Sequence, residues 1–285
     1  MKLSEIIRYI RDSSSLSQEE FAGKIGVSRL AVTRWENGRA TPSRIAQTKI
    51  YDIVKKNGIP LFAYLTEGSP EHTADGGRIV LYHGSRSGID GSIRPISRER
   101  CDFGRGFYMG TQIHQPLTLI CSFEKAAVYT LELDLTGLKV LHIPAGIEWA
   151  MAIAFSRGKL EDIKGTPLYE KYRKMLGGHD LIVGKIADDR MFYVLDRFFM
   201  GDITDRGLAE SLSALQLGEQ YVALTEKACG QIVILERRDI SELERLCIYD
   251  MSEQNRKQGI DAANDICRNR RREGRFFDEI LKEGE

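Results

Sequence analysis

Cysteine is scarce in this chain of 285 residues: Cys101, Cys121, Cys229, Cys247 and Cys267 are odd in number, scattered, and never spaced as C-x-x-C. That excludes a disulfide framework and a structural zinc site, and it points to a reducing compartment with no bound metal. No signal peptide opens the chain, and no apolar run approaches the eighteen or so residues of a membrane span. The expectation is a soluble, cytoplasmic protein with no membrane contact. Net charge is also missing, since 41 Lys and Arg balance 41 Asp and Glu. The balance is uneven along the chain: residues 1–60 carry eleven basic against six acidic side chains, a surplus of five that the remainder cancels. A basic small module beside a mildly acidic larger one fits a nucleic-acid-binding head attached to something else.

The head is legible from its helix signals. Leu3, Ile6, Ile7 and Ile10 share one helical face, and Ser17 with Glu20 forms a capping box for a second helix that stops at Gly26. Ser28 caps a third helix with Ala31, Val32 and Trp35 inward, and Trp35 is read as core. Two helices joined by a Gly-containing turn form a helix-turn-helix unit. In that geometry Ser28, Arg29, Thr33 and Arg34 meet base edges in the major groove, while Gln18 lies beside the phosphate backbone. The stretch "SQEEFAGKIGVSRLAVTRWENGRATPS" resembles the Cro/repressor (XRE) family. That resemblance implies DNA binding through residues 1–65, as a homodimer on two half-sites.

"TEGSPEHTADGGR", residues 66–78, has no apolar periodicity and reads as a linker. Beyond it, strand-like runs ("IVLYHGS", "VYTLELDL", "LKVLHI", "DLIVGKIA", "QYVALT", "QIVILER") alternate irregularly with helical stretches near 148–157, 168–176, 191–200 and 206–217. The pattern predicts an α+β domain over 79–240, followed by a charged helical extension over 241–285 that contains Arg268, Arg270, Arg271, Arg272 and Arg275. A solvated helix face accounts for that arginine cluster, and a nucleic-acid or partner contact is the alternative.

The segment "CDFGRGFYMGTQ" invites a dinucleotide-loop reading that its context excludes. No apolar strand precedes it, Gly110 follows Gly106 by four residues rather than three, and Pro116 comes soon after. Taken singly, His83 at a strand end is a satisfied surface or core group and Tyr108 a packing residue. Together, "LYHGS", "FGRGFYMGT" and "EQYVAL" resemble the ADP-ribosyltransferase superfamily, in its poly(ADP-ribose)-polymerase and diphtheria-toxin-like branch. The likeness extends to a bacterial domain family of unknown function in that clan, through "DLIVGKIADDRMF" and "QYVALTEKA", over about residues 79–235.

The resemblance implies split antiparallel sheets with flanking helices, and NAD as a substrate held by a His, a Tyr and usually a Glu. Catalytic positions fall on His83, Tyr108 and Gln220. Cofactor contacts fall on His83 (ribose hydroxyl), Gly84 (nicotinamide amide, through its backbone), Ser85 (the other ribose) and Tyr108 (stacked on nicotinamide). Gly104 and Gly106 permit close backbone approach, and Arg105 is the candidate for the pyrophosphate. Gln220 stands where a glutamate is usual. It supplies no negative charge to a developing cation, and Glu219 points to the other strand face.

These residues together suggest a mono-ADP-ribosyltransferase joined to a repressor head. Its setting would be a toxin-antitoxin or phage-defence locus, with a macromolecular acceptor and a small antitoxin partner. The alternative is a transcription regulator whose transferase-like domain has weak or no activity and senses NAD or another ligand. A third version takes nucleic acid as the acceptor, brought close by the tethered head.

Overall fold

The computed structural model describes residues 1–66, 77–186, 189–214, 218–269 and 273–283. The head comprises α1 (Leu3–Ser13), α2 (Gln18–Ile25), α3 (Arg29–Glu36), α4 (Arg44–Asn57) and the short α5 (Leu61–Thr66). Its helix ends follow local chemistry. Ser17 Oγ accepts from the Glu20 amide at 3.2 Å while Glu20 Oε2 accepts from the Ser17 amide at 2.8 Å, and Gly26 takes the left-handed conformation that closes α2. Ile6, Ile7, Ile10, Phe21, Ile25, Val32, Trp35 and Ile50 fill one core.

Beneath that core lies a buried acid. Glu36 accepts from Arg11 Nε at 2.5 Å and from Gln18 Nε2 at 2.7 Å, and the Gln18 amide oxygen accepts from Thr33 Oγ1 at 2.8 Å. The Arg11 pKa is raised, chiefly by its hydrogen bond to Glu36.

The second unit is built on seven strands: β1 (Arg78–Ser85), β2 (Phe107–Gly110), β3 (Ala127–Asp134), β4 (Val140–Ile143), β5 (Leu181–Lys185), β6 (Glu219–Ala223) and β7 (Ile232–Asp239). They form one sheet in the order β4-β5-β6-β2-β1-β3-β7, with β4 and β5 parallel and the other neighbours antiparallel. The expected pair of split antiparallel sheets is therefore corrected to a single mixed sheet. Its two halves are joined where Tyr82 registers with Gly110, the one pair registered between β1 and β2, whereas β1 pairs with β3 along its whole length.

Period-two alternation sorts the strands between two cores. Ile182 and Val222 join α7 (Ile147–Ser156) and α9 (Asp189–Phe199) on one face, and Leu181, Val183, Tyr221 and Ala223 line the other with Phe107 and Met109. Around the sheet lie α6 (His114–Ile120), α8 (Pro167–Leu176), α10 (Asp205–Ala214) and α11 (Glu226–Gly230). The helix predicted at 191–200 thus starts earlier, at Asp189, and that at 206–217 is described to Ala214.

The C-terminal segment packs on both units. α12 (Glu242–Asn269) inserts Leu243 and Cys247 into the core of the head, and α13 (Phe277–Glu283) buries Phe277 and Ile280 against α9. Arg275 pairs with Asp205 and Glu283, while Arg270, Arg271 and Arg272 lie outside the described residues, as does most of the 66–78 linker.

Glu36→Ala takes the buried carboxylate from Arg11 and leaves it only exposed Asp12 at 2.8 Å, which by analogy with broken buried pairs costs about 3 kcal/mol. The expected outcome is amide exchange in α1 and α3 faster by about a hundredfold under native conditions, read by hydrogen-exchange mass spectrometry. Unchanged protection there contradicts a structural role for the pair.

Candidate functional site

The seam between β1 and β2 is where the sheet opens. Past Tyr82 and Gly110 the imidazole of His83 reaches across, its Nδ1 2.7 Å from the Tyr108 carbonyl oxygen. A carbonyl only accepts, so Nδ1 carries the proton and Nε2 is left as an acceptor. Phe107 stacks on the imidazole at 4.2 Å between ring centroids, which fixes the ring plane. Burial holds the His83 pKa below the ordinary 6.5, opposed in part by the hydrogen bond to Tyr108, so the ring stays neutral at neutral pH.

Tyr108 leans toward the core on the α7 side and is tied to the turn before it. Its hydroxyl donates to the Gly104 carbonyl at 2.7 Å and accepts from the Phe103 amide at 3.0 Å. Gly104 has φ near +79°, the left-handed conformation this return requires. Gly106 is needed for space: a Cβ there would lie 2.6 Å from Val222 Cγ1 on β6. Burial drives the phenol pKa far above its usual value, so it acts as a neutral donor.

Gln220 is buried at 3% exposure on the same strand face as Val222, opposite Gly110 in register. Its Nε2 donates to the Lys185 carbonyl at 3.1 Å and to Asp102 Oδ2 at 3.3 Å. Asp102 in turn takes the Arg157 guanidinium at 2.6 Å through its other oxygen. Glu219, on the opposite face, pairs with Lys185 at 3.3 Å.

His83, Gly84, Tyr108 and Gln220 all line one cavity of about 860 Å³, together with Asp102 and Arg157. That volume lies within the range of small-molecule sites, roughly 300–1,000 Å³. Gly84 lets α6 close over the cavity, for a Cβ would stand 2.9 Å from the Pro116 carbonyl. Arg98 and Arg100 line it too and, among the described residues, neither has an ion-pair partner. With Asp102 neutralised by Arg157, the wall is net positive.

Several expected contacts fall elsewhere. Arg105 is paired with exposed Glu99 at 2.9 Å and does not line the cavity, whose arginines are Arg98, Arg100 and Arg157. Ser85 Oγ is occupied by the Gly88 carbonyl at 2.8 Å. Gly104 and Gly106 shape the Tyr108 turn without lining the cavity. Sequence reading missed Asp102 and Arg157; the only available signal was an acidic residue two positions before Gly104.

In the head, Ser28, Arg29 and Arg34 are exposed along the start and outer side of α3. Ser28 also caps the helix, accepting from the Ala31 amide at 3.3 Å. Gln18 and Thr33 are half-buried and bond to each other, so they brace α2 against α3. Among the described residues no group of three His, Cys, Asp or Glu side chains could hold a metal, and no helix is long and apolar enough to cross a membrane.

The fold and site define a helix-turn-helix domain, the DNA-binding module of transcription regulators, carried with an α+β domain that encloses a cavity. Residues 7–60 match the helix-turn-helix family. Residues 79–233, more than half of the chain, match the family described as protein of unknown function (DUF3990), and the chain belongs to that family. An "uncharacterized transcriptional regulator in ATPase CF(0) region" of Rhodospirillum rubrum is 36% identical over 69 residues, 23% of this chain and 61% of that protein. The chain thus spans about three-fifths of that relative's length. No solved structure matches the chain.

The buried His83 gives a pH signature. Its pKa in the folded protein lies below the value of the unfolded chain, so on acidification the unfolded state takes up the proton first. The stabilisation is whole above about pH 6.5 and is lost as the pH falls from there through the folded value. Melting temperatures at pH 7.5 and 5.5 are expected to differ more for the wild type than for His83→Asn, which retains a donor for the Tyr108 carbonyl. Equal drops overturn the assignment.

Proposed function

We propose that this protein is a DNA-binding transcription regulator whose second domain binds an anionic nucleotide of the NAD type in the cavity at the β1–β2 seam. The observation that carries the choice of binding over turnover is the state of Gln220. Its amide is committed to the Lys185 carbonyl and to Asp102, and β6 brings no carboxylate of its own to the cavity. Transfer of ADP-ribose passes through an oxocarbenium-like sugar, which needs negative charge close by. A neutral amide fixed by two acceptors serves to position a ligand.

The lining fits such a ligand in three respects. His83 Nε2, as an acceptor, takes a hydroxyl proton, the match for a ribose. The Tyr108 ring, held by its hydroxyl, offers an apolar plane to an aromatic base, worth about 0.5–1.5 kcal/mol beyond its buried area. Arg98 and Arg100 supply charge for phosphate. Bound NAD would bring a ribosyl bond that can be cleaved; the residues named here hold and orient it.

Isothermal titration of the full chain with NAD tests the reading. Saturable binding is expected, weakened about tenfold or more in His83→Ala and in the double variant Arg98→Ala, Arg100→Ala. The reading fails if the folded wild type takes up no NAD.

One observation favours a second reading, ADP-ribose transfer to a protein or nucleic-acid acceptor. The Asp102 carboxylate lines the cavity 3.3 Å from Gln220 Nε2, beside the position where a glutamate is usual. Nicotinamide released from NAD in the presence of lysate fractions, and abolished in Asp102→Asn, would decide for transfer and for an effector role. NAD binding without release decides for the regulator.

A further inference from the structure

The cavity is not built by the second domain alone. Phe62, on α5 of the head, lines it, and so do Met251 and Asn255 on α12. Over the two turns before Met251, α12 is fastened to the head. Leu243 and Cys247 are buried in the head's core, the Leu243 amide donates to Gln47 Oε1 at 3.1 Å, and the Tyr51 hydroxyl donates to Asp250 Oδ2 at 2.8 Å. Gln47 and Tyr51 both belong to α4. Arg44, at the start of α4, adds ion pairs to Glu242 of α12 at 3.1 Å and to Glu124 of the second domain at 2.6 Å. On its other side α12 is held by the second domain, where Arg245 Nε donates to the Cys121 carbonyl at the end of α6, 2.9 Å away. Asp250, which grips the head, is adjacent in sequence to Met251, which walls the cavity.

We infer that α12 couples the two functions: occupancy of the cavity displaces Met251 and Asn255 and, through the Asp250–Tyr51 and Leu243–Gln47 bonds, resets the position of α4 and so of the whole head. The inference rests on the reading of the cavity as a ligand site and adds to it the direction in which occupancy is read. A ligand that favours one head position changes DNA affinity by the ratio of its affinities for the two positions, and DNA changes ligand affinity by the same factor. Because the head is one packed body, its tilt against the second domain also sets the separation of two heads in a homodimer. Half-site spacing is sensitive to that separation.

The test uses the full chain, a duplex it selects from a random-sequence pool, and NAD as the probe. Calorimetry measures NAD binding, and fluorescence anisotropy measures duplex affinity with and without NAD. Coupling predicts that NAD changes duplex affinity tenfold or more in the wild type. In Tyr51→Phe, which removes one hydroxyl and leaves the cavity lining intact, the change should shrink to a third or less while NAD still binds. NAD binding with no change in duplex affinity overturns the coupling and leaves the ligand site standing.

If NAD does not bind, the ligand reading fails by itself, and Met251→Trp, which thickens the cavity wall from α12, tests the coupling without ligand. A folded Met251→Trp protein, checked by circular dichroism, is expected to differ from wild type in duplex affinity by threefold or more, and the same affinity as wild type overturns the inference.

Discussion

A single hydrogen bond, from the protonated Nδ1 of His83 to the Tyr108 carbonyl, crosses the middle of the sheet, where β1 and β2 share one registered pair. A ladder bond there would zip β1 to β2 and leave no space; the side chain satisfies the carbonyl while keeping the strands apart. The other features of the site depend on it. The imidazole plane is set by Phe107, Nε2 is left as an acceptor, and burial keeps the ring neutral so that this polarity persists. Tyr108 is fixed twice, by its backbone to His83 and by its hydroxyl to the turn at Gly104.

Electrostatics around that opening are asymmetric. The Asp102–Arg157 pair is internally balanced, with both side chains mostly buried, and its second carboxylate oxygen orients Gln220. The unbalanced charge is positive and sits on Arg98 and Arg100. A positive wall suits phosphate groups better than a cationic sugar, and on that ground binding is proposed here ahead of transfer.

Much of this was legible in the sequence where the determinants are local. Ser17 with Glu20, Gly26 and the Ile6, Ile7, Ile10 spacing define the head within a few residues of each bond they make. The alternation in β5 and β6 likewise marked the strands and put Glu219 and Gln220 on opposite faces. What stayed hidden was set by distant partners. Asp102 meets Arg157 across 55 residues and Gln220 across 118, and no short pattern encodes such a meeting. Arg105 looked suited to phosphate by its glycine neighbours, yet the turn that carries Tyr108 inward carries Arg105 outward to Glu99. The continuity of the sheet depends on Tyr82 finding Gly110. α12 read as a charged extension because its apolar residues serve two bodies in succession and make no single stripe.

The presence of Phe62 in the cavity wall bears on how such a protein can evolve. Helix-turn-helix heads are commonly regarded as interchangeable parts, joined by linkers and replaced without consequence for the domain they carry. Here a replacement head would have to supply an aromatic to the cavity lining, a groove for Leu243 and Cys247, and partners for Asp250 and the Leu243 amide. Recombination at residues 66–78 would strip one wall from the pocket and leave apolar surface on α12 bare. The two halves are therefore expected to be inherited together, with substitutions on α4 tracked by substitutions on α12.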